Sequence, residues 1–512
     1  MNVHNGAIFS PSAWKETLTK RAVRILTAVC VICAAVLSLY MLASRFFHLS
    51  NGLQYDELYS AVTASPDLSW GYIWKNMIMQ DINLPLFNFL LFGWNRIFPF
   101  TQWWMHLFSA LWSVATVLIA WPLAPKCWSN LKKGIFVSLV AGSFILSAYG
   151  AIVRAYSLAV FLTLVFSLLA LRFVHGFSEG KAPSVGAWLI FFITGLLGVY
   201  SHYFCTALFF ITALGVFLYA CYYKVGRAWS FFGTAVVFGL WCVWFFGVIG
   251  FSYFGAGGGS SGWWYKMPVA KATYEVVVFL FGEQRLFVAT LYGVVVALVS
   301  FVSLHKKDLL KQVDMILPLF QIIILLVVVA FISRKVNLWM DRYFLPVMPS
   351  IILVFTECLD HLRKRHAVLL VLWPALLVGW INSYWGLEHL HWPEYNGLHD
   401  AFSYINNVAK ADTLFVDMRG TGYPWAAFPR MLNFYTPKDR TIEIIPLTKQ
   451  VVPLATAPTD PKPLVLVPLC SQVHLMYTSV ELQIQEDGEP LLFNRDTCLI
   501  TVHAVTPTGA KK

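Results

Sequence analysis

The sequence predicts a helical domain that crosses a membrane many times, followed by a small α/β domain. Of its 512 residues, 58% are hydrophobic and only 12% are charged, whereas about a quarter of the residues of soluble proteins are charged. Apolar runs close to the roughly 20 residues that cross a bilayer recur as far as residue 384, and the character changes from Trp392 onward. The net charge of +11 is explained by orientation in the bilayer, so no nucleic-acid partner is expected.

Eleven apolar runs are candidates for membrane spans, with an uncertainty of one or two. The first, Ile25–Ala43, follows a polar segment and has no small-residue cleavage site after it, so it is predicted to be a retained span and not a signal peptide. The candidates are 25–43, 103–123, 135–151, 155–173, 186–201, 203–222, 229–250, 286–304, 313–332, 343–359 and 367–384.

Lysine and arginine predict the orientation of these spans. With residues 1–24 in the cytoplasm, every short cytoplasmic loop is basic, as the positive-inside rule requires. The apolar run Leu84–Phe100 would invert this order if it spanned, so Leu84–Phe98 is predicted to be a helix at the outer surface, starting near Pro85. The catalytic domain is then 25–384, with 44–102 as its first extracytoplasmic loop, and 385–512 is an extracytoplasmic α/β domain.

Ionisable residues that lie next to spans but outside the basic cytoplasmic loops all fall on the extracytoplasmic face in this topology. Adjacent carboxylates, Asp56 and Glu57, follow the first span, and Asp81 comes later in the same loop. Such residues are functional candidates because charge is costly in hydrocarbon. The same face receives Arg154, His202, Glu283, Arg285, Arg334, Asp341 and Arg342.

This mixture of acids and arginines is typical of a site that carries out a reaction at a phosphate. A sugar carried on a polyprenyl phosphate is a donor available away from nucleotides, and its leaving group needs charge neutralisation more than a proton. Arg154, Arg334 and Arg342 suit that task because guanidinium binds phosphate bidentately. Asp56 is predicted to be the general base that activates an acceptor hydroxyl, in a displacement that inverts the anomeric carbon.

Several short motifs, in this order, resemble the GT-C glycosyltransferases. They are Tyr55-Asp56-Glu57, Asp81 before Leu84-Pro85-Leu86, Arg154-Ala155-Tyr156-Ser157, Ser201-His202-Tyr203 and Asp341-Arg342-Tyr343-Phe344-Leu345-Pro346. Within that superfamily, residues 20–385 are similar to the bacterial family 39 group, relatives of protein O-mannosyltransferases and of the lipid A aminoarabinose transferase.

The resemblance implies a polyprenyl-phosphate-sugar donor, an inverting mechanism and Asp56 as the base, with Glu57 beside it in the catalytic pair. A lipid, a glycan or a protein remains open as acceptor, although the large inserted domain of the eukaryotic protein mannosyltransferases is missing. Some relatives bind a divalent metal, but the sequence shows no ligand set with metal spacing. The expected substrate-binding residues are Asp81, Arg154, Tyr156, His202, Tyr203, Arg334, Arg342 and Tyr343.

Each of these residues also has a structural explanation. The three acids can cap helices, since carboxylates favour a helix N-terminus. Arg154 can extend to lipid headgroups, and His202 can be an interfacial histidine with satisfied hydrogen bonds. Arg342 and Tyr343 can belong to the interfacial belt.

The glycine-rich segment 250–268 and the C-terminal domain carry weaker signals. The segment is either a flap over the donor site or a plain connector. The C-terminal domain is predicted to contain a helix at 395–409 and strands at 413–418, 441–447, 463–468 and 498–505, and to serve acceptor recognition or as a scaffold. Cys470 and Cys498 form a disulfide if the compartment is oxidising, or remain two unpaired cysteines.

Two other functional classes fit a polytopic chain. A transporter or lipid flippase places charges near the membrane midplane and often repeats in halves, whereas this chain has boundary charges and no such repeat. The second alternative class is a receptor built around the extracytoplasmic C-terminal domain. The compact chain favours a bacterial inner membrane over the endoplasmic reticulum.

Overall fold

The computed structural model describes most of the membrane domain and parts of the C-terminal region. The described residues are 11–47, 49–78, 84–225, 276, 280, 309–333, 341–365, 367–410, 413–417, 430–431, 433–437, 439–440, 442–447, 464–467, 484–486, 491–493 and 500–507. The predicted spans 229–250 and 286–304, the glycine-rich segment 250–268, and Asp81, Arg334, Cys470 and Cys498 lie outside them.

Seven helical segments among the described residues are long and apolar enough to cross a membrane, and each coincides with a predicted span. The chain is therefore an integral membrane protein with the predicted polytopic helical fold. The helices that carry these segments are α1 (Pro11–Ser44), α5 (Gln102–Leu123), α8 (Tyr156–Ser178), α10 (Tyr203–Tyr222), α11 (Val313–Ile332), α12 (Met348–Arg365) and α13 (Leu372–Tyr404). The predicted span 186–201 is a shorter apolar helix, α9 (Val185–Ser201).

The predicted span 135–151 is not one continuous helix, which corrects that prediction. The structure has α6 (Asn130–Gly142) and α7 (Phe144–Ala148), separated by Ser143 in an extended conformation with ψ 117°. The buried guanidinium of Arg45 donates hydrogen bonds to the carbonyls of Val140 (3.0 Å) and Ala141 (3.1 Å). Arg45 thereby provides partners for two of the carbonyls that are left without an intrahelical hydrogen bond where α6 ends inside the bundle.

A polar network in the bundle interior joins four of the long helices. Gln321 of α11 donates to Ser167 of α8 (3.2 Å) and Thr212 of α10 (2.6 Å), and its carbonyl oxygen accepts from Ser350 of α12 (2.7 Å). Side-chain hydrogen bonds across helices contribute to association in membranes, where apolar surface alone gives little driving force. The network fixes α8, α10, α11 and α12 relative to one another.

Three short helices build a second hydrophobic core beside the bundle. They are α2 (Tyr55–Val62), α3 (Trp70–Asn76) and α4 (Leu86–Ile97), and α4 follows Pro85 as the sequence predicts. Their buried faces pack with the first turns of α5 and α8, and this core also takes in Phe402, Ile405, Met431 and Ile442 from the C-terminal region. The loop that carries Asp56 is therefore packed on both the bundle and the C-terminal region.

The C-terminal region contains a mixed sheet, as the α/β prediction requires. The strands are β1 (Thr413–Asp417), β2 (Glu443–Leu447), β3 (Leu464–Val467), β4 (Ile484–Glu486), β5 (Leu491–Phe493) and β6 (Ile500–Pro507). β1 pairs in parallel with β2 and β3, and β6 pairs antiparallel with β3, β4 and β5. Four of these strands match the predicted ones. The predicted helix 395–409 is the end of α13 continued by one π-helical turn, Ile405–Ala409.

A buried ionic cluster, here called the basal cluster, lies at the opposite end of the bundle from Tyr156. Lys132 of α6 contacts Asp314 of α11 (2.6 Å) and Glu357 of α12, and Asp314 also accepts from His175 of α8 (2.8 Å). Tyr156 and His175 stand at the two ends of α8, about 28 Å apart at 1.5 Å per residue. That length is close to the thickness of the hydrocarbon core of a bilayer.

Candidate active site

Asp56 lies at the start of α2 and contacts an arginine that is distant in sequence. Its Oδ2 atom is 3.3 Å from Nη2 of Arg342, and the two side chains are 25% and 33% exposed. Arg342 belongs to a 3₁₀ segment, Asp341–Val347, that leads into α12. A partly exposed carboxylate beside a guanidinium can exchange a proton with a substrate while the guanidinium holds an anion.

Glu57 follows Asp56 in sequence but has a different environment, because its side chain is fully buried. Oε1 accepts from the amide of Val153 (2.6 Å), and Oε2 accepts from the amide of Gln54 (2.8 Å). His106 of α5 lies 3.6 Å from Oε1 and has its Nδ1 atom 2.9 Å from the carbonyl of Ala151. Burial raises the pKa of Glu57, against the lowering effect of His106 and of the two amides. Glu57 thus links the start of α2 to the chain before α8.

Arg154 holds the backbone of Asp56. Its Nη1 atom donates to the carbonyl of Asp56 (3.2 Å) and to Oγ of Ser60 (3.4 Å). The guanidinium also interacts electrostatically with His202 and Tyr343. Two arginines therefore meet the same acidic residue, one at its side chain and one at its main chain.

Aromatic side chains surround this charged group. The phenols of Tyr149, Tyr156 and Tyr343 lie near the guanidinium of Arg342. The ring of His202 lies 6.1 Å from that of Tyr156 and 5.7 Å from that of Tyr343. Ring carbons beside a guanidinium lower the local dielectric constant, which strengthens the attraction of the arginines for an anion.

His202 begins α10 and acts as its N-terminal cap. Its Nδ1 atom accepts from the amide of Phe204 (3.2 Å), which requires that nitrogen to be unprotonated. Burial, and then the charge of Arg154, lower the pKa of His202 below its ordinary value. The imidazole is neutral at neutral pH, so it can donate or accept a hydrogen bond without adding charge.

The structure brings together six of the ten residues that the sequence singled out: Asp56, Arg154, Tyr156, His202, Arg342 and Tyr343. Glu57 is next to Asp56 in sequence, but its side chain is buried in the protein interior. Tyr203, at the first position of α10, is 44% exposed. Asp81 and Arg334 lie outside the described residues.

Four further residues lie at the site or beside it but were not predicted from the sequence. His106 lies near Glu57, Tyr149 near Arg342, and Arg45 lines a cavity together with Tyr149 and Tyr156. The fourth, Tyr435, bonds the amide of Leu53 just before Asp56. His106 is a polar residue inside an apolar run, and Arg45 is a charge next to the first span, so both carry the signal that marked the others. Tyr149 and Tyr435 carry no such signal, since tyrosine is common at membrane interfaces.

A divalent metal finds no fit in the part of the chain that the structure describes. There, no group of three or more histidine, cysteine, aspartate or glutamate side chains is arranged to hold a metal ion.

Comparison with known proteins gives a likeness of fold without a likeness of sequence. No protein-family model matches the chain, and no curated protein matches it significantly. Among solved structures, ArnT from Cupriavidus metallidurans bound to undecaprenyl phosphate superimposes with a TM-score of 0.52 at 12% identity, over 94% of this chain and 99% of that one. This chain has the ArnT fold. The predicted polytopic helical architecture is thereby confirmed at the level of the fold.

The same protein in its apo state is also similar in structure. It gives a TM-score of 0.48 at 12% identity, over 92% of this chain and 97% of that chain.

Proposed function

We propose that this protein is a membrane glycosyltransferase that moves a sugar from a polyprenyl-phosphate donor to an acceptor hydroxyl. The observation that carries the proposal is the contact of Asp56 with Arg342, at the same residue whose main chain is held by Arg154. A base and two phosphate-binding cations thus meet at one point. The neighbour of the same fold, ArnT, was crystallised with undecaprenyl phosphate, which belongs to the class of lipids that the proposed reaction releases from its donor.

In the proposed reaction, Asp56 removes the proton of the acceptor hydroxyl as its oxygen attacks the anomeric carbon. The new bond forms on the face opposite the phosphate, so the configuration is inverted. The bond between the anomeric carbon and the phosphate oxygen breaks, and its electron pair leaves with polyprenyl phosphate. Arg342 and Arg154 stabilise the added negative charge, because guanidinium stays protonated in a poorly hydrated site.

The other predicted site residues have supporting roles in this proposal. Tyr156, His202 and Tyr343 form the wall of the donor site, and Glu57 holds the start of α2. Tyr203, Asp81 and Arg334 remain expected substrate contacts. The proposed acceptor is a lipid, a glycan or a protein, and the proposed location is a bacterial inner membrane with the N-terminus in the cytoplasm.

The test is transfer of radiolabelled sugar from a polyprenyl-phosphate donor by the purified full chain. Asp56→Asn keeps the shape of the side chain but cannot take a proton, so we expect transfer to fall by about 10²- to 10⁴-fold. Asp67→Asn is the matched control, since Asp67 lies in the same loop, is exposed, and pairs with Arg430 away from the site. It is expected to keep the transfer rate.

Two results would contradict the proposal. Equal transfer by Asp56→Asn and the wild type would exclude Asp56 as the base. Movement of the donor lipid across the bilayer by both proteins, with no transfer by either, would favour a transporter or flippase.

A further inference from the structure

A segment of the C-terminal region reaches the loop that carries Asp56. The hydroxyl of Tyr435 accepts a hydrogen bond from the amide of Leu53 at 2.5 Å, although 382 residues separate them. Leu53 is fully buried and lies three residues before Asp56. The contact therefore fixes the chain immediately before the first turn of α2.

Tyr435 is itself held in place by its surroundings. Its ring packs at 5.1 Å on those of His399 and Phe434, and Phe434 packs at 5.6 Å on Phe100, next to α5. The carbonyl of Tyr435 accepts from Asn406 (3.5 Å). Because these contacts tie Tyr435 to α13 and to the first loop, its hydroxyl is a fixed acceptor.

The chain from Leu53 to Asp56 is thus anchored at three points by side chains. Tyr435 binds the amide of Leu53, Glu57 binds the amide of Gln54, and Arg154 binds the carbonyl of Asp56. Of these three anchors, Tyr435 comes from the C-terminal region. The other two come from the first loop and from the chain before α8.

We propose that Tyr435 is a positioning residue that orients Asp56 through Leu53, so that the C-terminal region takes part in the chemical step. The inference rests on the proposed function of Asp56 as general base. It goes beyond the roles expected for this region, acceptor recognition or scaffolding, because it ties one hydroxyl to the geometry of the base. A small misplacement of a base reduces the rate while leaving donor binding intact.

The test compares Tyr435→Phe with Arg430→Gln in the full chain. Tyr435→Phe keeps the ring and removes the hydroxyl, and we expect kcat to fall about ten-fold with the donor KM unchanged within about two-fold. Arg430→Gln is the matched control, because the pair of Arg430 with Asp67 (2.9 Å) also joins the C-terminal region to the first loop but is exposed. It is expected to leave kcat and KM unchanged.

A second readout does not depend on activity. Amide hydrogen exchange of the peptide 50–60 is expected to be about five-fold faster in Tyr435→Phe than in the wild type, and unchanged in Arg430→Gln. Unchanged exchange, an unchanged kcat, or an equal loss of kcat in both variants would each overturn the inference. A further outcome is faster amide exchange in Tyr435→Phe together with a wild type that transfers no sugar. In that case the contact of Tyr435 with Leu53 stands and the proposed function fails.

Discussion

At the scale of single residues, two adjacent carboxylates in the sequence have separate roles. Asp56 is partly exposed and meets Arg342, whereas Glu57 is buried with both oxygens bound by backbone amides. Successive residues of a helix point about 100° apart, so one of two neighbours faces the site and the other faces the core. The sequence expectation of a catalytic pair becomes a proposal with a base at Asp56 and a positioning carboxylate at Glu57.

His202 predicts how stability depends on pH. Its pKa is lower in the folded protein than the ordinary 6.5, so the folded state binds fewer protons than the unfolded state and stability is lost as the pH falls below 6.5. We expect the wild type to lose up to about 2 kcal/mol between pH 7 and pH 5. His202→Asn should lose less, since asparagine caps a helix without titrating in this range.

Thermal unfolding of both proteins at pH 7 and pH 5, in one detergent, measures this difference. The same pH dependence in the variant and the wild type would show that His202 is not responsible.

At the scale of the helices, α9 and α10 approach closely at a glycine. A Cβ atom on Gly195 would lie 1.7 Å from the ring of Phe209, which is almost fully buried. Gly195→Ala is therefore expected to destabilise the protein by about 1–3 kcal/mol, because the ring has to move within a packed interior. Gly186→Ala, in the first turn of the same helix, meets nothing within 4 Å.

The midpoint of thermal unfolding measures both variants against the wild type. We expect a lower midpoint for Gly195→Ala and an unchanged or slightly higher one for Gly186→Ala, since alanine favours helix more than glycine does. A midpoint for Gly195→Ala that equals the wild-type value would contradict the close packing of α9 on α10.

Helix positions were predictable from the sequence, but the break between α6 and α7 was not. Seven of the predicted spans are found because apolar length alone identifies a membrane helix. The break at Ser143 depends on Arg45, which binds carbonyls about a hundred residues further along the chain. Such a contact leaves no mark in the local pattern of apolar residues.

At the scale of the whole molecule, the basal cluster predicts a large effect of a single lysine. Lys132 is 8% exposed and is the partner of both Asp314 and Glu357. Lys132→Met leaves two buried carboxylates without this cation, so we expect a loss of about 3–5 kcal/mol in stability. Lys181→Met is the control, because its pair with Glu179 is largely exposed.

Thermal unfolding of the two lysine variants checks this expectation. Lys132→Met should unfold at a clearly lower temperature, and Lys181→Met should behave as the wild type does. Equal midpoints for the two variants would mean that the basal cluster does not stabilise the bundle.

The candidate site was largely predictable because orientation places distant boundary residues on one face. The positive-inside rule put Asp56, Arg154, His202 and Arg342 at the same surface, and six of the predicted residues meet in the structure. The contact of Tyr435 with Leu53 was not predictable, since it depends on how the C-terminal region docks on the first loop. The environment of Glu57 likewise depends on the amide of Val153, which comes from a distant part of the chain.

The basal cluster also bears on how the isoprenoid tail of the proposed donor would reach Arg342. It ties α6, α8, α11 and α12 together at the end of the bundle farthest from Asp56. The network around Gln321 joins α8, α11 and α12 again, seven residues after Asp314 along α11, so these helices can separate only beyond that network, toward Asp56. A gap wide enough for a hydrocarbon chain is therefore expected to open sideways to the lipid in the half of the bilayer next to Asp56, and the opposite leaflet is expected to stay sealed.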